Sequence, residues 1–304
     1  MQVRLRRGFV ALACLALLLP IGYGPPAAAR ATSARSKPLA HVVVILMENK
    51  EYGSIIGSSS APYVNGLAHR NVLLTHYYAI GHPSLPNYLA LTGGSTFGIH
   101  SDCTNCNVNH TNIVDQLRTH NMSWRAYLQS MPHACFLGNT SGRAPQTYVK
   151  HHDPFLYYND VRNNSARCHR VVPFTQLPGD LKSGLPRFAW ITPNVCNDMH
   201  SCPVSTGDRF LRSWIPRIMK HLGSDGVVIV VFDKGSTTAS CCGLRSGGGH
   251  VVAIVAGPGA KNGVRIRAAA DHYSLLRLIE DALGLHRLAH AGDSSTPSIR
   301  GWRP

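Results

Sequence analysis

The stretch that decides the fold is His41-Val42-Val43-Val44-Ile45-Leu46-Met47-Glu48-Asn49, an apolar run that ends in two polar residues. Such a run predicts a strand buried on both faces, because a strand with one solvated face would alternate apolar and polar residues. Residues 187–192, 227–232 and 250–256 have the same character and also end in polar or Gly/Pro-containing sequence. We therefore expect four central strands in one largely parallel sheet.

Helical patterns lie between these strands, at residues 62–70, 85–92, 112–120, 208–222 and 274–283. Alternating strands and helices predict an α/β fold with a central, largely parallel sheet and helices on both faces. Pro216 is expected to kink the fourth helix, and Gly284 suits the C-cap of the last one. Residues 101–186 are weakly periodic, and we expect long loops there over the active site, at the carboxyl ends of the strands.

The N-terminal sequence predicts export. Arginines at positions 4, 6 and 7 precede an apolar run at residues 9–19, and small residues follow, as in a secretory signal peptide. The alternative is an uncleaved membrane anchor, which the shortness of the apolar run disfavours. We expect residues 1–31 to be a signal peptide, residues 32–40 a linker, and residues 41–304 a single domain of a secreted protein.

The composition excludes a disordered chain and favours anionic partners. Hydrophobic residues make up 44% of the chain and charged residues 15%, the reverse of a disordered sequence. The formal net charge is +15, which favours phosphorylated small molecules, phospholipid head groups and peripheral contact with anionic surfaces. No basic run is interleaved with aromatic residues, so no nucleic-acid partner is expected.

The cysteines indicate a disulfide-bonded protein. Eight remain once Cys14 leaves with the signal peptide, and an even number in an exported chain predicts disulfides. A zinc site at Cys103-x-x-Cys106 is the alternative, disfavoured because no second such pair is present. Proximity along the chain suggests these pairs: Cys103–Cys106, Cys135–Cys168, Cys196–Cys202 and the vicinal Cys241–Cys242.

Acidic and hydroxyl side chains stand at the predicted strand ends and at one helix start. Glu48 and Asn49 offer the oxygen ligands that hard cations prefer, although they could also cap a helix. Asp233 ends the most apolar run, where a buried carboxylate needs a cation or donors unless it caps a turn. Ser84 precedes the helix at 85–92. It could simply cap that helix, but helix N-termini also attract phosphoryl groups, and a base or cation can make serine a nucleophile.

Histidines are numerous, 17 in all, so most are expected to be solvated. His250 opens the last predicted strand after a glycine run. His200 lies in a loop between two cysteines, and His152 lies in the sequence His-His-Asp-Pro. Histidine is suited to proton transfer near neutral pH, so these three are candidates for a catalytic site.

Four segments together resemble a known family: VVILMEN at 43–49, HPSLPNYLAL at 82–91, PNVCNDMH at 193–200 and VFD at 231–233. They resemble the bacterial phosphoesterase family of secreted acid phosphatases and phosphatidylcholine-type phospholipases C, within the alkaline-phosphatase superfamily. The chain is most similar there to short secreted acid phosphatases that can act on phosphoinositides. The resemblance covers residues 41 to 285 and implies an alkaline-phosphatase-like fold.

The resemblance implies a role for each matching residue and an acid phosphatase-like activity. Ser84 would be the nucleophile of a phosphomonoesterase that works through a phosphoserine intermediate. His200 and His152 would hold the phosphoryl group, and one of them would protonate the leaving group. A divalent metal ion would be held by Glu48, Asn49 and Asp233. Further contacts to the substrate would come from Asn49, His82, Lys234 and His250.

One position departs from the family pattern. The family usually has a second acid directly after Asp233, where this chain has Lys234. The lysine would weaken cation binding, replace part of the cation's charge, or point at the substrate phosphate.

Two alternative functions stay open. One is a phospholipase C-type phosphodiesterase, which the lack of a recognisable lipid-binding module disfavours. The other is a catalytically weakened module that binds anionic ligands, which the presence of Ser84 and Glu48 disfavours.

Overall fold

The computed structural model of the chain describes residues 1–5, 8 and 37–304. Contacts divide the chain into two units, Met1–Arg35 and Ser36–Pro304, and the fold below is that of the second unit. The predicted signal peptide and linker fall largely outside the described residues, so their boundaries stay predictions. Within the described part, no helix combines the length and the apolar character that crossing a bilayer requires.

The second unit is built around an eight-stranded sheet. The strands in chain order are β1 (Val42–Met47), β2 (Val72–Leu74), β3 (Tyr77–Tyr78), β4 (Trp124–Leu128), β5 (Thr140–Arg143), β6 (Gln146–Val149), β7 (Val171–Pro173), β8 (Phe188–Thr192), β9 (Val227–Phe232), β10 (Ala253–Ala256), β11 (Arg265–Ile266) and β12 (Ala270–Asp271). The order across the large sheet is β11-β2-β10-β9-β1-β8-β4-β7, and two small sheets pair β12 with β3 and β5 with β6.

The central strand β1 confirms the interpretation of its apolar run. It pairs in parallel with β9 on one side and β8 on the other, so Val44 lies opposite both Ile229 and Trp190. Every residue of β1 and β9 is buried. Because strands buried in this way need cover on both faces, the expected layering around the sheet is confirmed.

The fourth predicted strand differs from expectation in length and direction. Residues 250–256 shorten to β10, which runs antiparallel to both β9 and β2. An apolar pattern does not encode the direction of a strand, since that depends on pairing with its neighbours. The residue after β10, Gly257, therefore lies at the far edge of the sheet from Glu48. His250 precedes β10, so it lies at the same edge of the sheet as Glu48.

Helices lie where their patterns predict them, and further short ones occur. They are α1 (Tyr52–Ile55), α2 (Pro62–Arg70), α3 (Ser84–Gly93), α4 (Ile113–Thr119), α5 (Asn159–Arg162), α6 (Ser165–Cys168), α7 (Leu177–Ser183), α8 (Val204–Met219), α9 (His272–Leu283) and α10 (Ala289–Gly292), with 3₁₀ turns at Lys150–His152, Pro154–Tyr157 and Phe174–Gln176. Helix α8 continues through Pro216, and Gly284 caps α9 in the left-handed conformation at φ 73°. Helix α2 packs against α8, and α3 packs against α9.

Residues 101–186 do more than form loops over the site. Strand β4 pairs in parallel with β8, and β7 pairs in parallel with β4, so this region extends the central sheet at one side. The expectation of loops was wrong for β4 and β7, and the β5–β6 pair and helices α5, α6 and α7 also lie in this region. Strands β4 and β7 are five and three residues long, too short to show a periodicity in the sequence.

Four disulfides join the eight cysteines of the second unit. The pairs are those suggested by proximity along the chain: Cys103–Cys106, Cys135–Cys168, Cys196–Cys202 and Cys241–Cys242. Because both sulfurs of Cys103 and Cys106 are used in this way, the zinc alternative does not hold.

Candidate functional site

The ends of β1 and β9 bring two carboxylates to one edge of the sheet. The two strands are parallel neighbours, and the N–H of Asp233 donates to the carbonyl of Met47 at 2.9 Å. The N–H of Asn49 donates to Asp233 Oδ1, also at 2.9 Å. Glu48 and Asp233 are both fully buried. The predicted meeting of these two acids is therefore present in the structure.

Helix α3 adds the candidate nucleophile to the same pocket. The helix begins at Ser84, whose Oγ donates to Glu48 Oε2 at 3.2 Å. One turn further on, the hydroxyl of Tyr88 donates to Glu48 Oε1 at 2.6 Å. Residues four apart lie on the same face of a helix, so α3 presents both hydroxyls to one carboxylate. Tyr88 was missed from the sequence, and its spacing from Ser84 is the signal that could have found it.

Two other side chains fix the start of α3. Asp102 Oδ1 accepts the N–H of Leu85 at 2.9 Å. Asn87 Oδ1 accepts the N–H groups of Ile80 and Gly81 at 3.0 and 3.2 Å. One N–H at the helix start, that of Leu85, thus already has a carboxylate partner. The chain entering the helix is also held in place.

A buried histidine lies between two acids behind the pocket. His152 Nε2 is 3.3 Å from Glu48 Oε1, and His152 Nδ1 is 3.4 Å from Asp198 Oδ2. Its ring stacks on Tyr88 with the centroids 5.4 Å apart. Asp198 also accepts the N–H of His200 at 2.7 Å, and its carbonyl accepts the N–H of Glu48 at 2.8 Å. Asp198 therefore connects three candidate residues, and it was missed from the sequence.

The remaining predicted histidines lie in different places. His200 is exposed, with its ring centroid 5.9 Å from that of His152. His82 is also exposed, and its Nε2 is 2.9 Å from the carbonyl of Thr237. His200 lies beside the buried His152 in space, and His82 precedes the buried Ser84 by two residues in the chain. Their predicted contacts with substrate stay predictions.

His250 is not joined to the pocket by the contacts of the described residues. Its ring stacks on Tyr52 at 4.3 Å, and its Nε2 is 2.9 Å from the carbonyl of Thr75. The histidine that contacts this strand end is His272, whose Nε2 is 2.5 Å from the carbonyl of Asp233. The resemblance implied a substrate contact for His250 at the start of the last predicted strand, whereas its ring contacts Tyr52 and the carbonyl of Thr75.

Lys234 contacts the predicted metal-binding amide. Its Nζ donates to Asn49 Oδ1, and Asn49 adopts the left-handed conformation at φ 56°. Asparagine tolerates that conformation better than most residues. The amide oxygen of Asn49 is therefore directed at an ammonium group.

Burial shifts the ionisable groups of the pocket toward their neutral forms. It raises the pKa of Glu48 well above its ordinary value, and the nearby charge of Asp233 adds to the effect. Burial also raises the pKa of Asp198, and it lowers the pKa of His152 to about 3. A bound cation would favour the ionised carboxylates and reverse the first two shifts.

The donor atoms of the pocket fit a hard cation. Asp198 Oδ2 and Asp233 Oδ2 are buried without a hydrogen-bond partner, and a buried carboxylate oxygen needs a proton or a cation. Among residues 37–304, one group of three His, Cys, Asp or Glu residues has its donor atoms within 4.8 Å of one another: Cys241, Cys242 and Asp271. Its sulfurs are joined in a disulfide, so it offers no thiolate. No three acids of the pocket form such a group in the part of the chain that the structure describes.

The sequence is similar to those of several phosphatases. Residues 58–286 match the Phosphoesterase family. The chain is 32% identical to an acid phosphatase of Aspergillus fumigatus over 251 residues, which cover 80% of this chain and 55% of that protein. It is 29% identical to a phosphatidylinositol-3-phosphatase of Mycobacterium tuberculosis over 259 residues, covering 83% and 79%. The chain thus spans just over half the length of the acid phosphatase.

Solved structures support the fold. A protein of the alkaline phosphatase superfamily from Vibrio parahaemolyticus superposes with a TM-score of 0.58 at 15% identity, covering 86% of this chain and 72% of that one. The lipoteichoic acid synthase LtaP of Listeria monocytogenes also gives 0.58, at 10% identity, covering 84% and 75%. With the sheet order, the pocket and the sequence match taken together, the chain belongs to the phosphoesterase family and has the fold of the alkaline phosphatase superfamily.

Proposed function

We propose that this chain is a secreted phosphomonoesterase of the acid phosphatase type that acts through a phosphoserine at Ser84. The observation that carries the proposal is the hydrogen bond of 3.2 Å from Ser84 Oγ to Glu48 Oε2, at an edge where Asp233 also lies. A serine needs a nearby base or cation to become a nucleophile, and this pocket has acids in place for either. The matched acid phosphatases support the same activity.

The proposed reaction has two displacements at phosphorus. Ser84 Oγ attacks the phosphorus, its proton passes toward Glu48 Oε2, and the bond to the alcohol breaks. Water then attacks the phosphoserine, which releases inorganic phosphate and restores the hydroxyl. In this proposal His200, which is exposed and lies 5.9 Å from His152 between ring centroids, would give a proton to the departing alcohol, whereas His152 is buried beside Glu48. Most of the rate enhancement would come from positioning and charge neutralisation.

A divalent cation is expected as cofactor, since the family and the superfamily generally use one. Glu48 and Asp233 would hold it, and Asp198 has a buried oxygen available. Asn49 was predicted as a third ligand, but its amide oxygen already faces Lys234. Bound there, the cation would lower the pKa of the serine hydroxyl and stabilise charge on the phosphoryl oxygens.

The proposed substrates are phosphorylated small molecules, with phosphoinositide head groups as one class. The phosphatidylinositol-3-phosphatase relative supports this choice, as does the net charge of +15. That charge also suits peripheral contact with anionic surfaces. Secretion is proposed from the N-terminal sequence, and four disulfides agree with an oxidising compartment.

The test is hydrolysis of p-nitrophenyl phosphate by the mature chain and by Ser84→Ala. Loss of the nucleophile should lower kcat by roughly a thousandfold or more. Ser183→Ala serves as the control, because that serine is exposed on α7. After acid quenching of the unmutated chain, mass spectrometry should find phosphate on the peptide that contains Ser84. Full activity of Ser84→Ala would refute the mechanism.

The two alternatives predict other outcomes in the same assay. A phospholipase C-type enzyme would cleave bis(p-nitrophenyl) phosphate or a choline phospholipid in preference to the monoester. A weakened binding module would bind phosphoinositide vesicles while releasing no phosphate from any ester. Either result would contradict the proposed phosphomonoesterase activity and favour the corresponding alternative.

A further inference from the structure

A lysine follows the acidic residue at the carboxyl end of each of the two central strands β1 and β9. Lys50 follows Glu48 and Asn49 after β1, and Lys234 follows Asp233 after β9. Because β1 and β9 are parallel neighbours, both lysines lie at the same edge of the sheet. Both side chains are partly exposed, whereas Glu48 and Asp233 are fully buried. The lysines therefore stand between the acidic floor of the pocket and solvent.

Lys234 is held in place from two sides. Its Nζ donates to Asn49 Oδ1, which places the ammonium over the segment between Glu48 and Lys50. The backbone that follows is fixed by Glu51, whose Oε1 accepts the N–H groups of Ser236 and Thr237 at 2.9 Å each. A cationic group held in this way loses little freedom when it binds an anion.

Lys50 directly follows Asn49, the residue whose amide oxygen accepts from Lys234 Nζ, so it lies beside the same groups. Its charge interacts with those of Asp198, Glu48 and Asp233 and also with that of Lys234, while partial burial lowers its pKa. None of the ion pairs among residues 37–304 includes Lys50 or Lys234. Two lysines thus follow the adjacent strand ends, and neither forms an ion pair with a carboxylate there.

The charge of a phosphate ester depends on its class. A monoester near neutral pH is mostly a dianion with three non-bridging oxygens, because its second pKa is about 6. A diester is a monoanion with two such oxygens. Each added positive charge therefore attracts the monoester about twice as strongly as the diester at equal distance. Lysine suits this task as a compact point charge with three donors.

We propose that Lys50 and Lys234 form a paired-ammonium subsite that binds the dianionic phosphoryl group and makes the site selective for phosphomonoesters over phosphodiesters. The inference rests on the proposed function and gives it a structural basis for substrate class. It also gives Lys234 a use in place of the acid that the family usually has after Asp233.

The test compares Lys50→Gln and Lys234→Gln on p-nitrophenyl phosphate and bis(p-nitrophenyl) phosphate. Each substitution should lower kcat/KM for the monoester by roughly tenfold or more and change the diester value much less. Lys261→Gln removes the same charge from an exposed position at the opposite sheet edge and should leave the ratio of the two values unchanged. Equal losses on both esters would overturn the proposal.

A binding measurement separates the subsite from catalysis. In Ser84→Ala, titration calorimetry with inorganic phosphate should show binding that either lysine substitution weakens roughly tenfold. Unchanged phosphate affinity, with altered thermal stability alone, would mean that the lysines only neutralise the acids, and the proposal would fail. If the unmutated chain releases p-nitrophenol from neither ester, the proposed function fails instead, and the calorimetry still decides whether the lysines bind phosphate.

Discussion

Ser84 Oγ donates a hydrogen bond of 3.2 Å to Glu48 Oε2, although the two residues are 36 positions apart in the chain. Both side chains are buried, and no other donor or acceptor of the described residues contacts that hydroxyl. The direction of the Ser84 hydroxyl therefore depends on where the Glu48 carboxylate is held. The carboxylate in turn accepts a hydrogen bond from Tyr88, and His152 Nε2 lies 3.3 Å from its other side.

Tyr88→Phe should impair catalysis without unfolding the chain. The substitution removes the 2.6 Å hydrogen bond to Glu48 Oε1 and keeps the buried ring. A hydrogen bond to a charged group contributes about 1.5–3 kcal/mol, so kcat should fall roughly 10- to 100-fold. Tyr127→Phe is the matched control, because it removes a 2.7 Å bond to Asp180 away from the pocket. Similar kcat values for the two variants would contradict this role of Tyr88.

Asp198→Asn tests the acid that connects three site residues. The amide keeps the size of the side chain and removes the charge that faces His152 Nδ1 at 3.4 Å. Loss of a supporting residue of this kind costs roughly 10- to 100-fold in activity or metal affinity. We expect the loss in kcat with KM little changed, since Asp198 is buried. Asp180→Asn is the control. It weakens the ion pair of Asp180 with Arg125 and should leave kcat unchanged.

The core of the fold could be predicted because burial on both faces leaves a clear pattern. Strands β1 and β9 appear in the sequence as uninterrupted apolar runs, and their neighbouring carboxyl ends place Glu48 near Asp233. The direction of β10 could not be predicted, since its apolar residues suit either pairing. Strand β7 was missed because three residues carry no periodicity.

The part of the site at the strand ends and at the start of α3 was the most predictable from sequence. Ser84 begins a helix and Glu48 directly follows strand β1, so both had positions that sequence patterns define. Asp198 lies in a loop closed by the Cys196–Cys202 disulfide, and only tertiary packing brings it to His152. His250 fits the family pattern, yet its ring stacks on an aromatic neighbour at the sheet edge.

Asp102 is expected to position the helix that carries the nucleophile. Its carboxylate accepts the N–H of Leu85 at 2.9 Å, which replaces the side-chain cap that α3 lacks. Asp102→Ala should lower stability by about 0.5–2 kcal/mol, the usual cost of a lost cap, and also lower kcat. Asp102→Asn keeps an acceptor oxygen and should recover most of kcat.

The control for Asp102 is a cap at another helix. Asn112→Ala removes the side chain that accepts the N–H of Val114 at 2.9 Å at the start of α4. It should cost similar stability in urea unfolding while kcat stays the same. If both cap variants reduced kcat equally, the effect of Asp102 would be one of general stability.

Removal of metal should lower both activity and thermal stability. A ligand that binds only the folded chain stabilises it by about 2.7 kcal/mol at 100 times its Kd. Dialysis against a chelator should therefore lower Tm, and Mg²⁺, Mn²⁺, Ca²⁺ or Zn²⁺ added back should restore it for the ion that fits. Asp233→Asn should abolish this response, because Asp233 Oδ2 is one of the buried oxygens without a partner. If Tm and activity were both unchanged after chelation, the proposed role of a cation in catalysis would be wrong.

Stability should also depend on pH through Glu280, which is remote from the chemistry. Burial raises the pKa of Glu280 to about 8 from an ordinary value of 4.5. Between these pH values the folded chain holds a proton that the unfolded chain has released, so the free energy of unfolding falls as pH rises through this window. The contribution is complete below about pH 4.5 and lost above about pH 8, with a slope of at most about 1.4 kcal/mol per pH unit.

Glu280→Gln isolates that contribution, because the amide has the same size and no proton to lose. Urea unfolding of the variant from about pH 5 to about pH 8 should show a shallower fall than in the unmutated chain, with the difference confined to that window. Asp281→Asn is the neighbouring control, since Asp281 is exposed and paired with Arg287. Parallel pH curves for Glu280→Gln and the unmutated chain would show that Glu280 ionises at its ordinary pKa, with its buried position compensated by its hydrogen bond from the N–H of Leu288.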